Sequence, residues 1–193
     1  MIIYLHGFNS SANINSDKVK LLSTIDDVYV AKYDSFASYD ITLKKLCADV
    51  DTFKNKTFIG TSLGAFYASA LGKSYSAPAV CINPCLDPAL TLKVLCNIKM
   101  VNFIDGVTSY LTPSVCESYT NHSITSNSQF LIKQLLLLDL GDELLNSIQT
   151  KETLKSWESV CFQGGSHRFD HMRESIPTIQ KYIKSNYDTN YMH

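Results

Sequence analysis

Six short apolar runs, separated by longer stretches of helical character, constrain the fold of this chain more than any other feature. Most are continuous rather than alternating, as strands buried on both faces of a parallel sheet require. We therefore expect a strand in each run. The runs are IIYLH (2–6), VYVAKY (28–33), KTFIG (56–60), PAVCIN (78–83), QLLLLDL (134–140) and SVCFQG (159–164).

Most of the segments between these runs carry apolar residues at helical spacing, namely 16–25, 41–53, 63–74 and 147–157, and 170–185 follows the last run. Strands that alternate with helices predict a doubly wound α/β sheet of about six mostly parallel strands with right-handed crossovers. A chain of 193 residues, 45% of them hydrophobic, is long enough for one buried core. We expect a single domain over 1–193.

The interval 84–133, between the fourth and fifth runs, is roughly three times longer than a single crossover helix needs. Its second half, YLTPSVCESYTNHSITSNSQ, is rich in Ser, Thr and Asn and has little periodicity. It is either a slack surface excursion or a lid over the carboxyl edge of the sheet. We favour a lid, formed by about 86–130.

Composition argues against several classes of partner. The formal net charge is −1, with 17 basic and 18 acidic residues, and no basic run is interleaved with aromatic residues, so a nucleic-acid partner is not expected. The opening MIIYLHGF lacks the positively charged flank and the cleavage site of a signal peptide. No apolar run approaches the length of a membrane span. The six cysteines match no zinc spacing. We expect a cytoplasmic protein with reduced thiols and no metal.

The segment GTSLGAF (60–66) places Ser62 between two glycines, after a predicted strand and before a predicted helix. In a G-x-S-x-G turn between strand and helix, the serine is held in a strained conformation at the top of the sheet as a nucleophile. The pentapeptide alone is weak evidence for a nucleophile. Its position between a predicted strand and a predicted helix strengthens that evidence. The alternative is that Ser62 only caps the following helix.

A serine nucleophile needs a base, and the base needs an acid that fixes its tautomer. On a doubly wound sheet both are expected in loops after later strands, in the order Ser, acid, His. Asp142 follows the fifth run in LLLLDLGDELL, and His167 follows the sixth in CFQGGSHRFD. Order and placement predict a triad of Ser62, Asp142 and His167.

Other acidic residues and histidines fit these roles less well. Glu143 is the serious rival of Asp142, since Asp139 is expected within the strand. None of the three remaining histidines in the later part of the chain sits where a catalytic base must. They are His122 in the irregular interval, His171 in the last predicted helix and His193 at the end.

The loop after the first strand, in YLHGFNS, is expected to approach the serine turn. The backbone N–H of Phe8 can then join that of Leu63 as an oxyanion hole. His6 is interpreted as a structural histidine that holds this loop, in preference to a catalytic role.

Five motifs in sequence order, HGFNSS, GTSLGAFY, INP, GDELL and GGSH, resemble the small YqiA/YcfP-type esterases of the α/β-hydrolase superfamily. The resemblance covers most of the chain. The segment of about 93–130 departs from the family pattern. It implies a compact α/β-hydrolase fold, the triad and oxyanion donors given above, and no metal or organic cofactor. It also implies a small-molecule acyl ester or acyl thioester as substrate.

Two other functions stay open. A hydrolase fold that has lost catalysis can serve as a binding module, although such a protein would not need all three triad positions. A triad enzyme can also cleave an amide, or transfer the acyl group to an acceptor other than water.

Overall fold

A six-stranded parallel sheet forms the centre of the molecule, in a computed structural model that describes residues 1–102, 104–125 and 134–188. The strands of the described residues are β1 (Ile2–Leu5), β2 (Val28–Val30), β3 (Thr57–Thr61), β4 (Ala79–Ile82), β5 (Lys99–Val101), β6 (Thr108–Tyr110), β7 (Leu135–Asp139) and β8 (Glu158–Phe162). The sheet order is β2-β1-β3-β4-β7-β8, and all its pairs are parallel. Each sheet strand overlaps one of the six apolar runs.

Helices cover both faces of this sheet. They are α1 (Asp17–Leu22), α2 (Tyr39–Val50), α3 (Leu63–Ser74), α4 (Pro88–Thr91), α5 (Pro113–Glu117), α6 (Ser147–Thr153) and α7 (Met172–Asp188). Successive strand residues point to opposite faces, so Ile3 belongs to the core formed with α2 and α3, whereas Ile2 belongs to the core formed with α1 and α7. The predicted doubly wound sheet is confirmed.

The long interval between the fourth and fifth sheet strands contains regular structure that the sequence did not predict. It carries α4, a short 3₁₀ turn at Lys93–Leu95, an antiparallel hairpin of β5 and β6, and α5. Tyr119, just after α5, is 1% exposed, and its hydroxyl lies 2.6 Å from that of Tyr67 on α3. The α5 end of the interval is therefore packed into the core, whereas the strands of the hairpin are mostly exposed.

Some residues of the predicted interval 84–133 lie outside the described part of the chain, namely Phe103 and 126–133, of which 126–130 belong to the expected lid. Below, "the insertion" means its described residues 86–102 and 104–125. Among the helices of the described residues, none combines the length and the apolar character that a membrane crossing requires.

Parallel pairing places the carboxyl ends of the sheet strands at one edge of the sheet. The loops that follow β1, β3, β4, β7 and β8 therefore meet at this edge. These loops, together with Leu63 at the start of α3, carry all the residues predicted to act in catalysis.

Candidate active site

Ser62 lies at the turn between β3 and α3. Its backbone has φ 57° and ψ −121°, a conformation that a residue with a side chain rarely adopts and that is common at functional sites. Within the described part of the chain, its side chain makes no capping hydrogen bond to α3. The geometry therefore gives no support to the alternative that Ser62 serves only as a helix cap.

Gly60 and Gly64 make this turn possible. A Cβ atom at Gly60 would lie 2.1 Å from the carbonyl oxygen of Gly64, and a Cβ atom at Gly64 would lie 2.2 Å from the carbonyl oxygen of Leu5. Both clashes are with backbone, which cannot rotate away as a side chain can. The close packing of β1, β3 and α3 around Ser62 therefore requires both glycines.

The loop after β1 lies against Ser62, as the sequence predicted. A Cβ atom built at Gly7 would be 3.4 Å from the Ser62 Cβ and 4.0 Å from its Oγ. Phe8 follows Gly7 directly, while Leu63 is the first residue of α3, where a backbone N–H has no acceptor within the helix. The two N–H groups predicted to form an oxyanion hole thus belong to the two segments that adjoin Ser62.

His167, in the loop after β8, and Asp142, in the loop after β7, form a hydrogen-bonded pair. The His167 Nδ1 lies 2.8 Å from Oδ2 of Asp142. The other carboxylate oxygen accepts from the backbone N–H groups of Leu144 at 2.9 Å and Leu145 at 2.8 Å. The Asp142 side chain is 2% exposed, against 16% for His167. The carboxylate is thus fixed on the Nδ1 side of the imidazole, and Nε2 lies on the opposite side of the ring.

The environment of Asp142 favours its ionised form. Burial by itself would raise the pKa of this carboxyl, but the hydrogen bond with His167 and those from Leu145 and Leu144 outweigh burial, and the pKa is lowered overall. An ionised carboxylate at this place can orient an imidazole and stabilise its protonated form.

Glu143 also contacts His167, but through the main chain. Its Oε2 accepts a hydrogen bond of 2.9 Å from the backbone N–H of His167, and this bond lowers the pKa of the Glu143 carboxyl. The two rival carboxylates therefore have different positions. Asp142 faces the imidazole ring, whereas Glu143 holds the backbone of the same residue.

Asn83 connects the serine turn to the loop that carries His167. The backbone N–H of Ser62 donates to the carbonyl of Ile82 at 3.0 Å. The next residue, Asn83, is 1% exposed and has φ 40°. Its Nδ2 donates to the carbonyls of Ser166 at 3.0 Å and His167 at 3.3 Å. Ile82 and Asn83, which are consecutive, thus connect the backbone of Ser62 to the backbone of His167. Asn83 belongs to the INP motif, from which no role for its side chain was predicted.

A second aspartate–histidine pair also binds the loop after β8. Asp139, at the end of β7, is fully buried, and its Oδ1 lies 2.7 Å from Nδ1 of His171. Its Oδ2 accepts from the backbone N–H groups of Asp170 at 2.7 Å and Ser166 at 3.2 Å. The ring of His171 stacks on Phe162, with centroids 4.8 Å apart. The Asp139 carboxylate is therefore an anchor for the whole loop after β8.

This second pair refines the sequence assignments. Asp139 does lie within its strand, as predicted. His171, which was expected inside the last helix, lies one residue before α7 begins at Met172, and its carbonyl accepts from the N–H of Ser175 at 3.1 Å.

His6 is a buried residue of the loop after β1. It is 4% exposed, its Nδ1 lies 2.9 Å from the carbonyl oxygen of Gly7, and its ring stacks on Tyr33 with centroids 4.1 Å apart. The Tyr33 hydroxyl donates to the His6 carbonyl. Burial lowers the pKa of the imidazole. These contacts are those of a histidine that holds the loop in place.

The insertion binds the same loop from outside. Asn9 Nδ2 donates to the carbonyl of Val101 at 3.2 Å, and Asn102 Nδ2 donates to Oγ of Ser11 at 2.8 Å. The Ser11 hydroxyl in turn donates to Asp105. The β5–β6 hairpin is thus fixed to the segment that follows Phe8.

Over residues 1–102, 104–125 and 134–188, no three His, Cys, Asp or Glu side chains are grouped so that they could hold a metal ion.

The architecture around this site recurs in solved structures. A monoacylglycerol lipase from Paleococcus ferrophilus superposes with a TM-score of 0.74 at 14% identity, covering 95% of this chain and 93% of that chain. Est1E from Butyrivibrio proteoclasticus superposes with a TM-score of 0.71 at 14% identity, covering 97% and 88%. At such identity the likeness concerns the fold. The chain has the α/β-hydrolase fold.

Sequence comparison assigns the chain to a group within this fold. The model of the uncharacterised protein family UPF0227 matches residues 1–184, and the chain belongs to that family. The UPF0227 protein YcfP of Escherichia coli O9:H4 (strain HS) is 28% identical over 191 residues, covering 94% of this chain and 98% of the relative. The resemblance to YcfP-type proteins inferred from the five motifs is confirmed.

Proposed function

We propose that the chain is a serine hydrolase that cleaves an acyl ester or acyl thioester, with Ser62 as nucleophile, His167 as base and Asp142 as acid. The observation that carries this proposal is the His167–Asp142 hydrogen bond of 2.8 Å at the same sheet edge as the strained Ser62 turn. The fold likeness to a lipase and to Est1E agrees with it.

In the proposed reaction, Ser62 Oγ attacks the acyl carbonyl while Nε2 of His167 takes the hydroxyl proton. Asp142 keeps the Nδ1–H tautomer in place and stabilises the imidazolium that forms. His167 then gives its proton to the leaving alcohol or thiol, and an acyl-enzyme remains. Water, activated by the same imidazole, cleaves the acyl-enzyme and regenerates Ser62.

The negative charge that develops on the carbonyl oxygen needs donors placed in advance. The backbone N–H groups of Phe8 and Leu63 are the proposed donors, because their segments adjoin Ser62. Loss of one such donor typically costs roughly a hundred- to a thousandfold in rate. Because these donors are backbone groups, their positions depend on the conformation of the chain that carries them. The contacts of His6 and Asn9, which hold the loop after β1, therefore contribute to placing the Phe8 N–H.

We further propose that the insertion covers the acyl-binding side of the site. This is supported by the hydrogen bonds of the β5–β6 hairpin to Asn9 and Ser11, since these residues lie one and three positions after Phe8. Contact between the insertion and the proposed oxyanion loop would couple substrate shape to the reacting centre.

Covalent labelling tests the nucleophile. A fluorophosphonate probe should label Ser62 in the folded protein, and Ser62→Ala or His167→Ala should abolish labelling. Ser74→Ala, at the exposed end of the same helix, is the matched control and should label like the wild type. Correctly folded wild type that stays unlabelled would exclude the serine hydrolase and favour a binding module.

A substrate panel tests the bond that is cleaved. Purified protein should turn over acyl esters or acyl thioesters faster than the matching amides. Preference for amides, or acyl transfer to an added alcohol or amine in place of hydrolysis, would contradict the proposed reaction while leaving the triad in place.

A further inference from the structure

Two thiols meet inside the insertion. Cys96 follows the 3₁₀ turn at Lys93–Leu95, and Cys116 lies on α5. Their Sγ atoms are 3.1 Å apart, and both cysteines are free. The chain between them contains the whole β5–β6 hairpin. A disulfide has an S–S bond of about 2.05 Å, so closing this gap requires a movement of only about 1 Å.

The two thiols differ in access. Cys116 is 5% exposed, whereas Cys96 is half-buried. Both line a cavity of about 590 Å³ between α4 and α5, whose wall also includes Asp87, Lys93, Tyr119 and His122. Because Cys96 is the more exposed of the two, solvent-borne reagents reach it more readily than Cys116.

We propose that Cys96 and Cys116 are a redox modification site, at which a small disulfide of the glutathione type converts the pair into an intramolecular disulfide. The link would close a ring that contains the hairpin and would join α5 to the 3₁₀ turn. It would thereby fix two walls of the cavity to each other.

The exchange proceeds in two balanced steps. The Cys96 thiolate attacks one sulfur of the small disulfide, forming a mixed disulfide and releasing one small thiolate. The Cys116 thiolate then attacks the Cys96 sulfur, forming the protein disulfide and releasing the second small thiolate. The two protein thiols lose two protons and two electrons, and the small disulfide is reduced to two thiols.

The environment of Cys116 agrees with this order of attack. Burial, followed by the neighbouring thiol of Cys96, raises the pKa of Cys116 to about 12, so Cys116 is a poor first nucleophile at neutral pH. Once Cys96 carries the mixed disulfide, its sulfur is adjacent to Cys116, and proximity offsets the small thiolate fraction.

Peptide mapping of the native full-length protein tests the proposal. Reduced protein is incubated with mixtures of oxidised and reduced glutathione and then denatured in acid, so that exchange stops and buried thiols become accessible. Free thiols are alkylated in denaturant, and the digest is analysed by mass spectrometry. We expect linked peptides containing Cys96 and Cys116, a protein lighter by two hydrogen atoms, and reversal by dithiothreitol. Cys47, Cys81, Cys85 and Cys161 should be alkylated.

Variants separate the two steps. Cys116→Ser should stop at a mixed disulfide on Cys96, and Cys96→Ser should prevent the linkage. Cys161→Ser removes another half-buried thiol and should still form the Cys96–Cys116 linkage. Wild type that stops at the mixed disulfide, or that links other cysteines while both of these stay alkylatable, would overturn the proposal. Because the peptide map of wild type decides the matter, a variant that fails to fold does not remove the test.

This proposal does not rest on the hydrolase function. The peptide map reads the thiols directly and would give the same answer if Ser62 had no activity. Failure of the labelling experiment and failure of the redox proposal are therefore distinguishable.

Discussion

At the scale of single residues, two adjacent carboxylates share one histidine without sharing a role. Asp142 contacts the imidazole of His167, and Glu143 accepts from its backbone N–H. A group that contacts the ring can set its tautomer, whereas a group that contacts the main chain can only set its position. This distinction allows the two to be separated by experiment.

Asp142→Asn should lose several orders of magnitude in turnover, because an amide permits the wrong imidazole tautomer, a change that cost about ten-thousandfold in a well-studied triad. Glu143→Gln keeps an oxygen acceptor for the His167 N–H and should stay within about tenfold, equivalent to roughly 1.4 kcal/mol. The measurement is kcat with one ester on folded variants. The reverse ranking would transfer the acid role to Glu143.

At the scale of elements, the loop after β8 is held by groups from three neighbouring segments. Asp139 of β7 accepts two backbone N–H groups of this loop, Asn83 after β4 donates to two of its carbonyls, and Lys18 of α1 donates to the carbonyl of Arg168. A loop with its backbone groups bound in this way can present His167 in one position. Asp139 thus acts as a positioning residue for the proposed base.

Asp139→Asn should destabilise the fold by about 1–3 kcal/mol, because the new amide places N–H groups against donors in a buried site. It should also lower kcat more than it changes KM, since the base is displaced while the acyl side is intact. Asp170→Asn is the matched control, because that carboxyl is exposed and accepts from the Ser166 hydroxyl. Equal effects of both substitutions on kcat would contradict the positioning role.

The β5–β6 hairpin offers a second test at this scale. Asn102→Ala removes the 2.8 Å bond to Ser11 and the acceptor for the N–H of Ile104, so the hairpin should release the loop after β1. We expect KM for longer acyl esters to rise at least about threefold, roughly 0.65 kcal/mol of lost binding. Ser109→Ala on β6 should leave KM unchanged. Identical kinetics of Asn102→Ala and wild type would mean that the hairpin does not shape the acyl site.

The burial pattern of each strand explains whether the strand could be predicted from the sequence. Continuous runs such as QLLLLDL became the fully buried β7, whereas KMV and TSY, the strands of the hairpin, are mostly exposed and too short to carry a periodic signal. The triad candidates were found because each follows a strand in a recognisable motif. The Asp139–His171 pair was missed, because Asp139 was expected within a strand and His171 within the last helix, and neither was part of a motif that pointed to the other.

At the scale of the whole molecule, the buried imidazole of His6 links the site to acid stability. Burial lowers the pKa of His6 in the folded state below its ordinary value of about 6.5. As the pH falls below about 6.5, the unfolded chain binds a proton there before the folded chain does, and this favours unfolding. The contribution is present above about 6.5 and is lost as the pH falls toward the folded pKa.

The melting temperature of the wild type should therefore fall between about pH 6.5 and pH 5 more steeply than that of His6→Asn. The asparagine amide can still donate to the Gly7 carbonyl but does not titrate. Thermal denaturation over this range compares the slopes, to which the other ionisable groups contribute in both proteins. Parallel curves would show that His6 makes no such contribution.

The order of the strands along the chain determines when each residue of the proposed site is synthesised. β1, β3 and β4, which surround Ser62, come from the first 82 residues, whereas β8 joins the edge of the sheet after residue 158 and brings His167 with it. Because chains are made from the amino terminus, a nascent chain holds its proposed nucleophile and oxyanion loop well before it holds a base. A chain whose synthesis stops before β8 would therefore contain Ser62 but lack His167, so the proposed reactivity toward acyl groups requires synthesis to continue past residue 167.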